Sequence, residues 1–287
     1  MYLSVKTVSN FEDIDYNNFY EPICISRGCV EMEAVKKWSP EYLSQIFKNT
    51  YVDVEVYKDK HLMGETKMKQ NQEIPFNQVI EHIMLDKPPY YYFSEIPLSD
   101  YESEIGTYLS DDISHNFDKL KEPEEELIFL GNNSLTGCHL HVNDDYILNQ
   151  IFGTKTVYLF EYSDNPNLKM SSFFGSNNNF IKDNFFALDH NQLKIYKVDL
   201  KPGNSLLIPP WWFHAVKGHG FSCSVSKVYT RTDLGYLKKY PYLLFLYYFE
   251  NINVTIKNII LGILIILLVI LLIMFFLKIE KVKVKKN

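Results

Sequence analysis

The chain has few cysteines and no excess of basic residues, and each shortage excludes a class of protein. Its 287 residues include 4 cysteines, too few for a small domain held together by disulfide bonds. Lys and Arg number 29 against 35 Asp and Glu, and the net charge is −6. A nucleic-acid surface needs clustered positive charge, and the sequence has no basic stripe interleaved with aromatic residues. We therefore expect no nucleic-acid partner.

The N-terminus lacks the apolar run of a secretory signal, and the chain has no internal repeat. Residues 1–6 are MYLSVK, which contain no apolar core of signal-peptide length. We therefore expect the folded part of the chain to lie in the cytosol. What the sequence does contain is 21 Tyr and 20 Phe, a composition that suits a strand-rich domain.

Two distant segments place histidines where strands can bring them together. In the first, His139, His141 and Asn143 occupy alternate positions, so on a β-strand they share one face. In the second, a Gly turn, a short apolar strand and a Pro-Pro-Trp-Trp corner precede His214. A histidine group on one strand and a lone histidine on another is typical of a metal site in the mouth of a β-barrel. Such a site suits mononuclear iron with open coordination positions.

These segments resemble the two motifs of a cupin, and more closely those of the JmjC/cupin-like 2-oxoglutarate oxygenases. In that family a His-x-Asp strand is followed by a Gly-x-Lys turn, and a later PGD-x-x-x-x-P-x-x-W-x-H segment supplies the second histidine. Here residues 141–143 take the His-x-Asp place, residues 153–155 are Gly-Thr-Lys, and residues 202–214 match the distal motif. The resemblance covers about residues 10–230 and extends upstream to four further segments: 22–25, 37–43, 52–57 and 90–98.

The resemblance implies a mainly β fold, a double-stranded β-helix (jelly-roll or cupin) barrel buttressed by N-terminal helices. We place this domain at residues 1–235, with the barrel strands between about 127 and 230. One helix is predicted after Ser39, because Ser is a good N-cap and Pro40 suits the first helical position. Further helices are predicted over residues 76–84 and 110–120.

The resemblance also implies an iron centre, but Asn143 stands where the family has an aspartate. Two histidines and one carboxylate form the facial triad for non-haem Fe(II), and a neutral amide is a weaker ligand. His139 could be the third ligand beside His141 and His214. Alternatively Asn143 or a neighbouring aspartate coordinates, or the site holds no metal. We favour His139, because it lies on the correct face.

The cosubstrate implied by the resemblance is 2-oxoglutarate, whose far carboxylate needs a fixed cation. Lys155 matches the lysine of the Gly-x-Lys turn and would supply that charge. Ser226, on the predicted last barrel strand, resembles the hydroxyl that helps to hold the same carboxylate. Thr136 is a weaker candidate for this role.

A long apolar run near the C-terminus predicts a membrane anchor. Residues 258–277 contain no charge, and about 20 apolar residues in a helix span a bilayer core. Residues 236–257 form an aromatic juxtamembrane segment, and the tail at 278–287 carries five lysines. The sequence thus predicts a single-pass protein whose C-terminal helix at 258–277 has the lipid bilayer as its partner.

Together these features favour a membrane-anchored Fe(II)- and 2-oxoglutarate-dependent oxygenase that hydroxylates a protein or a small molecule. The alternative is a catalytically inactive JmjC-like binding or scaffold protein at a membrane. A third hypothesis is a three-histidine cupin dioxygenase that needs no 2-oxoglutarate, and Lys155 argues against it. Asn143 is the residue that separates the first two hypotheses.

Overall fold

The computed structural model of the chain divides into two compact units, Met1–Arg231 and Thr232–Asn287. The structure describes the following residues: 2–15, 19–48, 50–64, 70–106, 109–114, 122–142, 144–161, 164, 168, 179–231, 259, 261–264 and 267.

Twelve strands in the described part of the first unit are linked through backbone pairing. This large sheet confirms the predicted mainly β class and is consistent with a jelly-roll. The strands are β1 (Leu3–Ser4), β2 (Lys6–Val8), β3 (Ile23–Ile25), β4 (Tyr51–Tyr57), β5 (Gln70–Pro75), β6 (Tyr90–Pro97), β7 (Glu125–Asn132), β8 (Leu135–His139), β9 (Asp144–Glu161), β10 (Tyr196–Leu200), β11 (Ser205–Ile208) and β12 (Trp212–Thr230).

Five helices of the described chain precede most of the sheet: α1 (Glu33–Lys37), α2 (Pro40–Phe47), α3 (Phe76–Leu85), α4 (Ser99–Ile105) and α5 (Leu109–Asp112). Helix α2 begins as predicted, because the Ser39 hydroxyl accepts the backbone N–H of Tyr42 at 3.1 Å. Helix α3 matches the prediction for residues 76–84. Helix α5 covers only the start of the helix predicted at 110–120, and residues 115–120 lie outside the described part.

Helices α2 and α3 pack their apolar faces against the sheet. Phe47 of α2 stacks on Phe76 of α3 with ring centroids 4.2 Å apart, and Phe93 of β6 meets Phe76 edge-on at 5.5 Å. All three rings are buried in one core with residues of β7 and β12. Burying aromatic side chains of this size stabilises the fold by several kcal/mol in total, at roughly 1.5–3 kcal/mol each. The helices therefore support the sheet from outside the histidine site.

The two longest strands, β9 and β12, organise the site. They pair antiparallel from Trp212↔Glu161 to Thr230↔Asp144, with irregular register between His219 and Ser224. Strand β12 also pairs with β7 and with the short β8. This arrangement carries side chains from β8, β9 and β12 to the same interior space.

The predicted single-pass membrane localisation is contradicted. Among the residues that the structure describes, no helix has both the length and the apolar character needed to cross a bilayer. Of the predicted span at 258–277, the structure describes residues 259, 261–264 and 267, which are helical. The predicted juxtamembrane segment at 236–257 and the basic tail at 278–287 lie outside the described residues.

Candidate metal centre and cosubstrate pocket

Three histidines converge in the interior of the first unit. His139 at the end of β8 is the cross-strand partner of His214 on β12, and His141 follows two residues later. The ring centroids of His139 and His214 are 4.2 Å apart, and His141 lies 5.1 Å and 5.0 Å from them. One ligand atom from each ring lies within 4.8 Å of the other two, so the three side chains could hold a single metal ion.

Backbone carbonyls orient two of the rings. The Nδ1 atom of His139 lies 2.7 Å from the carbonyl oxygen of Gly137, and that of His214 lies 3.2 Å from the carbonyl oxygen of Trp212. An Nδ1–H donated to a carbonyl leaves the Nε2 lone pair for a metal, as is usual for histidine ligands. His141 is held differently, by stacking on Tyr146 with centroids 3.5 Å apart and an angle of 9°.

Burial keeps the three imidazoles neutral. It lowers the pKa of His139, and it holds the pKa of His141 and of His214 well below the ordinary value. Repulsion from the neighbouring imidazoles adds to the lowering at His141 and His214. A metal binds the neutral form of histidine. These histidines can therefore bind a metal cation without first releasing protons.

The structure brings together three of the four residues that the sequence suggested as ligands. His139, His141 and His214 form the cluster, whereas Asn143 lies outside the described residues. Within the described chain the cluster contains no carboxylate. The arrangement is that of the three-histidine alternative, and metal binding by these residues stays a prediction.

The histidines line a cavity that also contains the predicted cosubstrate residues. Its empty volume, counted out to the open mouth, is about 510 Å³. The apolar part of the wall consists of Phe129, Leu148, Ile208 and Val216. The remaining lining side chains are Glu95, Thr136, Tyr146, Lys155, Ser224, Ser226 and the three histidines.

Lys155 is a buried residue of this cavity's lining. Its side chain is 2% exposed, its Nζ donates to the Ser224 hydroxyl at 2.5 Å, and it lies 5.6 Å from the centre of the Phe129 ring. Burial lowers the pKa of Lys155 to about 8. In the part of the chain that the structure describes, no carboxylate forms an ion pair with this ammonium. A buried charge without a counter-ion is costly, so the position favours an anionic ligand.

The other two predicted cosubstrate residues also line the cavity. Thr136 has its hydroxyl 3.0 Å from the Tyr92 hydroxyl, and Ser226 is buried. The serine that contacts Lys155 is Ser224, which the sequence reasoning missed. A sequence signal for Ser224 was present, because Ser224 and Ser226 occupy alternate positions on one strand and so share a face. Tyr146 was also missed, and no sequence pattern singled it out.

A comparison with protein-family models matches residues 9–235 to the family described as "Cupin-like domain". The matched range includes every residue that lines the cavity. A search of curated proteins found no match to the chain.

Proposed function

Because the chain belongs to the cupin-like domain family, which includes oxygenases that use iron and 2-oxoglutarate, we propose that it is such an oxygenase. Its substrate would be a protein side chain or a small molecule that is hydroxylated. The observation that carries the proposal is one cavity whose lining contains three neutral histidines and a buried lysine that forms no ion pair within the described chain.

The metal part of the proposal rests on the histidine cluster. His139, His141 and His214 would hold Fe(II), and imidazole ligands suit this ion. The Gly137 and Trp212 carbonyls fix two of the rings, and such outer partners are what keeps metal ligands in place. Bound iron would supply the redox chemistry with O2 that protein side chains lack.

The cosubstrate part rests on Lys155. The far carboxylate of 2-oxoglutarate would accept hydrogen bonds from its ammonium and from the hydroxyl of Ser224 or Ser226. A charged partner strengthens such bonds roughly twofold over neutral ones. The ligand would also supply the counter-ion that Lys155 lacks within the described chain.

The apolar wall would complete the reaction chamber. Phe129, Leu148, Ile208 and Val216 surround the polar groups and would limit the access of water to the cosubstrate. A drier site strengthens the attraction between the Lys155 ammonium and a carboxylate.

A binding protein without turnover is a second candidate, and one observation favours it. The described ligand cluster has no carboxylate, so it lacks the ligand charge of the usual facial triad. In this alternative the cavity holds a metal or an acid, and the protein releases no succinate.

The test measures metal content and 2-oxoglutarate turnover on the same sample of the full chain. In air and with ascorbate as the reductant, the wild type should bind about one Fe(II) and convert 2-oxoglutarate and O2 to succinate and CO2. His139→Ala and His214→Ala should each weaken metal binding by more than about 10- to 100-fold, because each removes one of three ligands and loss of a ligand's outer hydrogen-bond partner alone has an effect of that size.

A matched control is His61→Ala, since His61 is exposed and lies outside the cluster. It should leave the metal affinity unchanged. Metal binding without turnover would favour the binding protein. A wild type that holds no metal above background would rule out both the iron centre and the oxygenase.

A further inference from the structure

Strand β8, which ends in the first histidine of the cluster, is held along both of its edges. Along one edge it pairs with β12, where His139 lies opposite His214. Along the other edge it meets segment 179–181, which forms an isolated antiparallel bridge between His139 and Phe180. Within the described sheet, β12 is the strand neighbour of β8. Segment 179–181 therefore takes the place of a second neighbour beside the histidines.

The bridge places an aromatic ring on one of the histidines. Two backbone hydrogen bonds of 3.0 Å flank the bridged pair, one from Leu140 N–H to the Asn179 carbonyl and one from Ile181 N–H to the Cys138 carbonyl. His139 and Phe180 are therefore a non-hydrogen-bonded antiparallel pair, the type whose side chains lie closer together. Accordingly, the Phe180 ring stacks on the His139 imidazole, with centroids 4.8 Å apart and an angle of 28°.

Asn179 engages both backbone polar groups of Leu140, the residue between His139 and His141. Its carbonyl accepts the N–H of Leu140 at 3.0 Å, and its Nδ2 donates to the carbonyl of Leu140 at 3.1 Å. The N–H belongs to the peptide group before Leu140, and the carbonyl belongs to the one after it. Because peptide groups are planar, these two bonds fix the orientation of both peptide groups that join the histidines.

The chain between the two histidines needs such support, because it leaves the sheet there. Strand β8 ends at His139. Two residues of a strand advance about 6.6 Å, whereas the ring centroids of His139 and His141 are 5.1 Å apart. The carbonyl of His141 accepts the N–H of Trp211 at 2.8 Å, so the far end of the turn is held as well. Strand pairing alone does not set the position of His141.

We propose that Asn179 and Phe180 are positioning residues of the metal centre. Asn179 sets the turn between His139 and His141, and Phe180 sets the plane of the His139 ring. Neither residue belongs to the described lining of the cavity or to the histidine cluster, so both act through the ligands. This inference rests on the proposed function only for the presence of a metal, and it does not require turnover.

The experiment titrates the full chain, freed of metal, with Co(II) and records the visible absorption spectrum. Co(II) is the probe because its absorption depends on the arrangement of its ligands, and the same titration gives the affinity. Asn179→Ala should weaken Co(II) binding by about 10- to 100-fold, the usual effect of losing an outer partner of metal ligands. It should also change the spectrum of the saturated protein. A residue that only stabilised the fold would leave that spectrum unchanged.

A pair of variants tests Phe180. Phe180→Leu removes the aromatic face and should change both the Co(II) affinity and the spectrum. Phe180→Tyr keeps the stacked ring and should retain the wild-type values. This pair also decides the inference if Asn179→Ala does not fold.

Asn132→Ala is the matched control. Like Asn179, Asn132 is half-buried and donates from Nδ2 to a backbone carbonyl at 3.1 Å, in this case that of Ile83. It lies outside the cavity lining and the histidine cluster. The variant should unfold at a lower urea concentration but keep the Co(II) affinity and spectrum. Unchanged Co(II) binding in both Asn179→Ala and Phe180→Leu, or an equal loss in Asn132→Ala, would overturn the inference.

The positioning roles and the oxygenase fail separately. Succinate release by the wild type, with unchanged Co(II) binding in the variants, would leave the oxygenase and refute the positioning roles. Co(II) binding that depends on Asn179 and Phe180, without succinate release, would keep the positioning roles and refute the oxygenase. A wild type that binds no Co(II) would refute both.

Discussion

Lys155 combines complete burial with a charge that the described chain does not neutralise. The ammonium contacts a neutral hydroxyl and an aromatic face, neither of which cancels a full charge. Its pKa of about 8 is the result of this burial. The side chain is thus charged at neutral pH, but it loses its proton in the pH range of ordinary laboratory buffers.

The binding of 2-oxoglutarate should therefore depend on pH. Below about pH 8 the lysine is an ammonium and attracts the carboxylate. Above it the neutral amine dominates in the unliganded protein, so the affinity should fall by up to about tenfold per pH unit. Calorimetric titration of 2-oxoglutarate between pH 7 and pH 10 checks this.

Lys155→Met is the control for that titration. It keeps an apolar side chain of similar length without a titrating group, so its affinity should be weak and nearly flat over the same range. An equally steep decline in this variant would assign the pH dependence to another group.

At the scale of single elements, Gly153 allows strand β12 to approach strand β9 closely. Gly153 has a φ of 68°, and a Cβ placed there would lie 2.4 Å from the carbonyl oxygen of Phe221 and 2.7 Å from the Ser222 backbone. Strand β12 can approach β9 this closely only because the residue has no side chain. That approach brings Ser224 to Lys155.

Gly153→Ala should destabilise the protein by about 2–5 kcal/mol, the sum of the left-handed backbone cost and the clash. Gly220→Ala is a matched comparison, because its φ is 65° but no atom lies within 4 Å of the added Cβ. It should cost only about 1–2 kcal/mol. Urea unfolding of both variants measures the difference, and equal losses would show that the close contact with β12 is unimportant.

Local chemistry explains which elements could be predicted from the sequence. The start of α2 depends on Ser39 and Pro40, and the shared face of His139 and His141 depends on strand alternation, so both follow from neighbouring residues. The contact of Ser224 with Lys155 depends on the register between β9 and β12, which no local pattern encodes. The register shift of β6 against β7 between Phe93 and Ile96 is likewise a property of strand pairing.

Hydropathy was a weaker guide to structure than these local patterns, because it scores the composition of a segment and not its conformation. The run at 258–277 met the length criterion for a bilayer, but the described residues contain no helix that does.

At the scale of the whole molecule, the paired strands all belong to the unit Met1–Arg231. A fragment of residues 1–231 should therefore fold and bind metal with the same affinity as the full chain. Circular dichroism, thermal unfolding and metal titration of the two proteins check this expectation.

A fragment of residues 1–218 serves as the contrasting control. It removes Cys223–Val228, which pair with both β7 and β9, and it should not fold. Failure of the longer fragment as well would show that the first unit depends on the rest of the chain.

The continuity of β12 limits how this protein can change in evolution. One strand, with a register irregularity between His219 and Ser224, carries both His214 and the serines that line the cavity with Lys155. A single-residue insertion or deletion between them would turn every following side chain to the other face, so the cavity would lose its hydroxyls while keeping its histidine. Changes in length should therefore accumulate in the loops between strands, whereas this strand should vary by substitution alone.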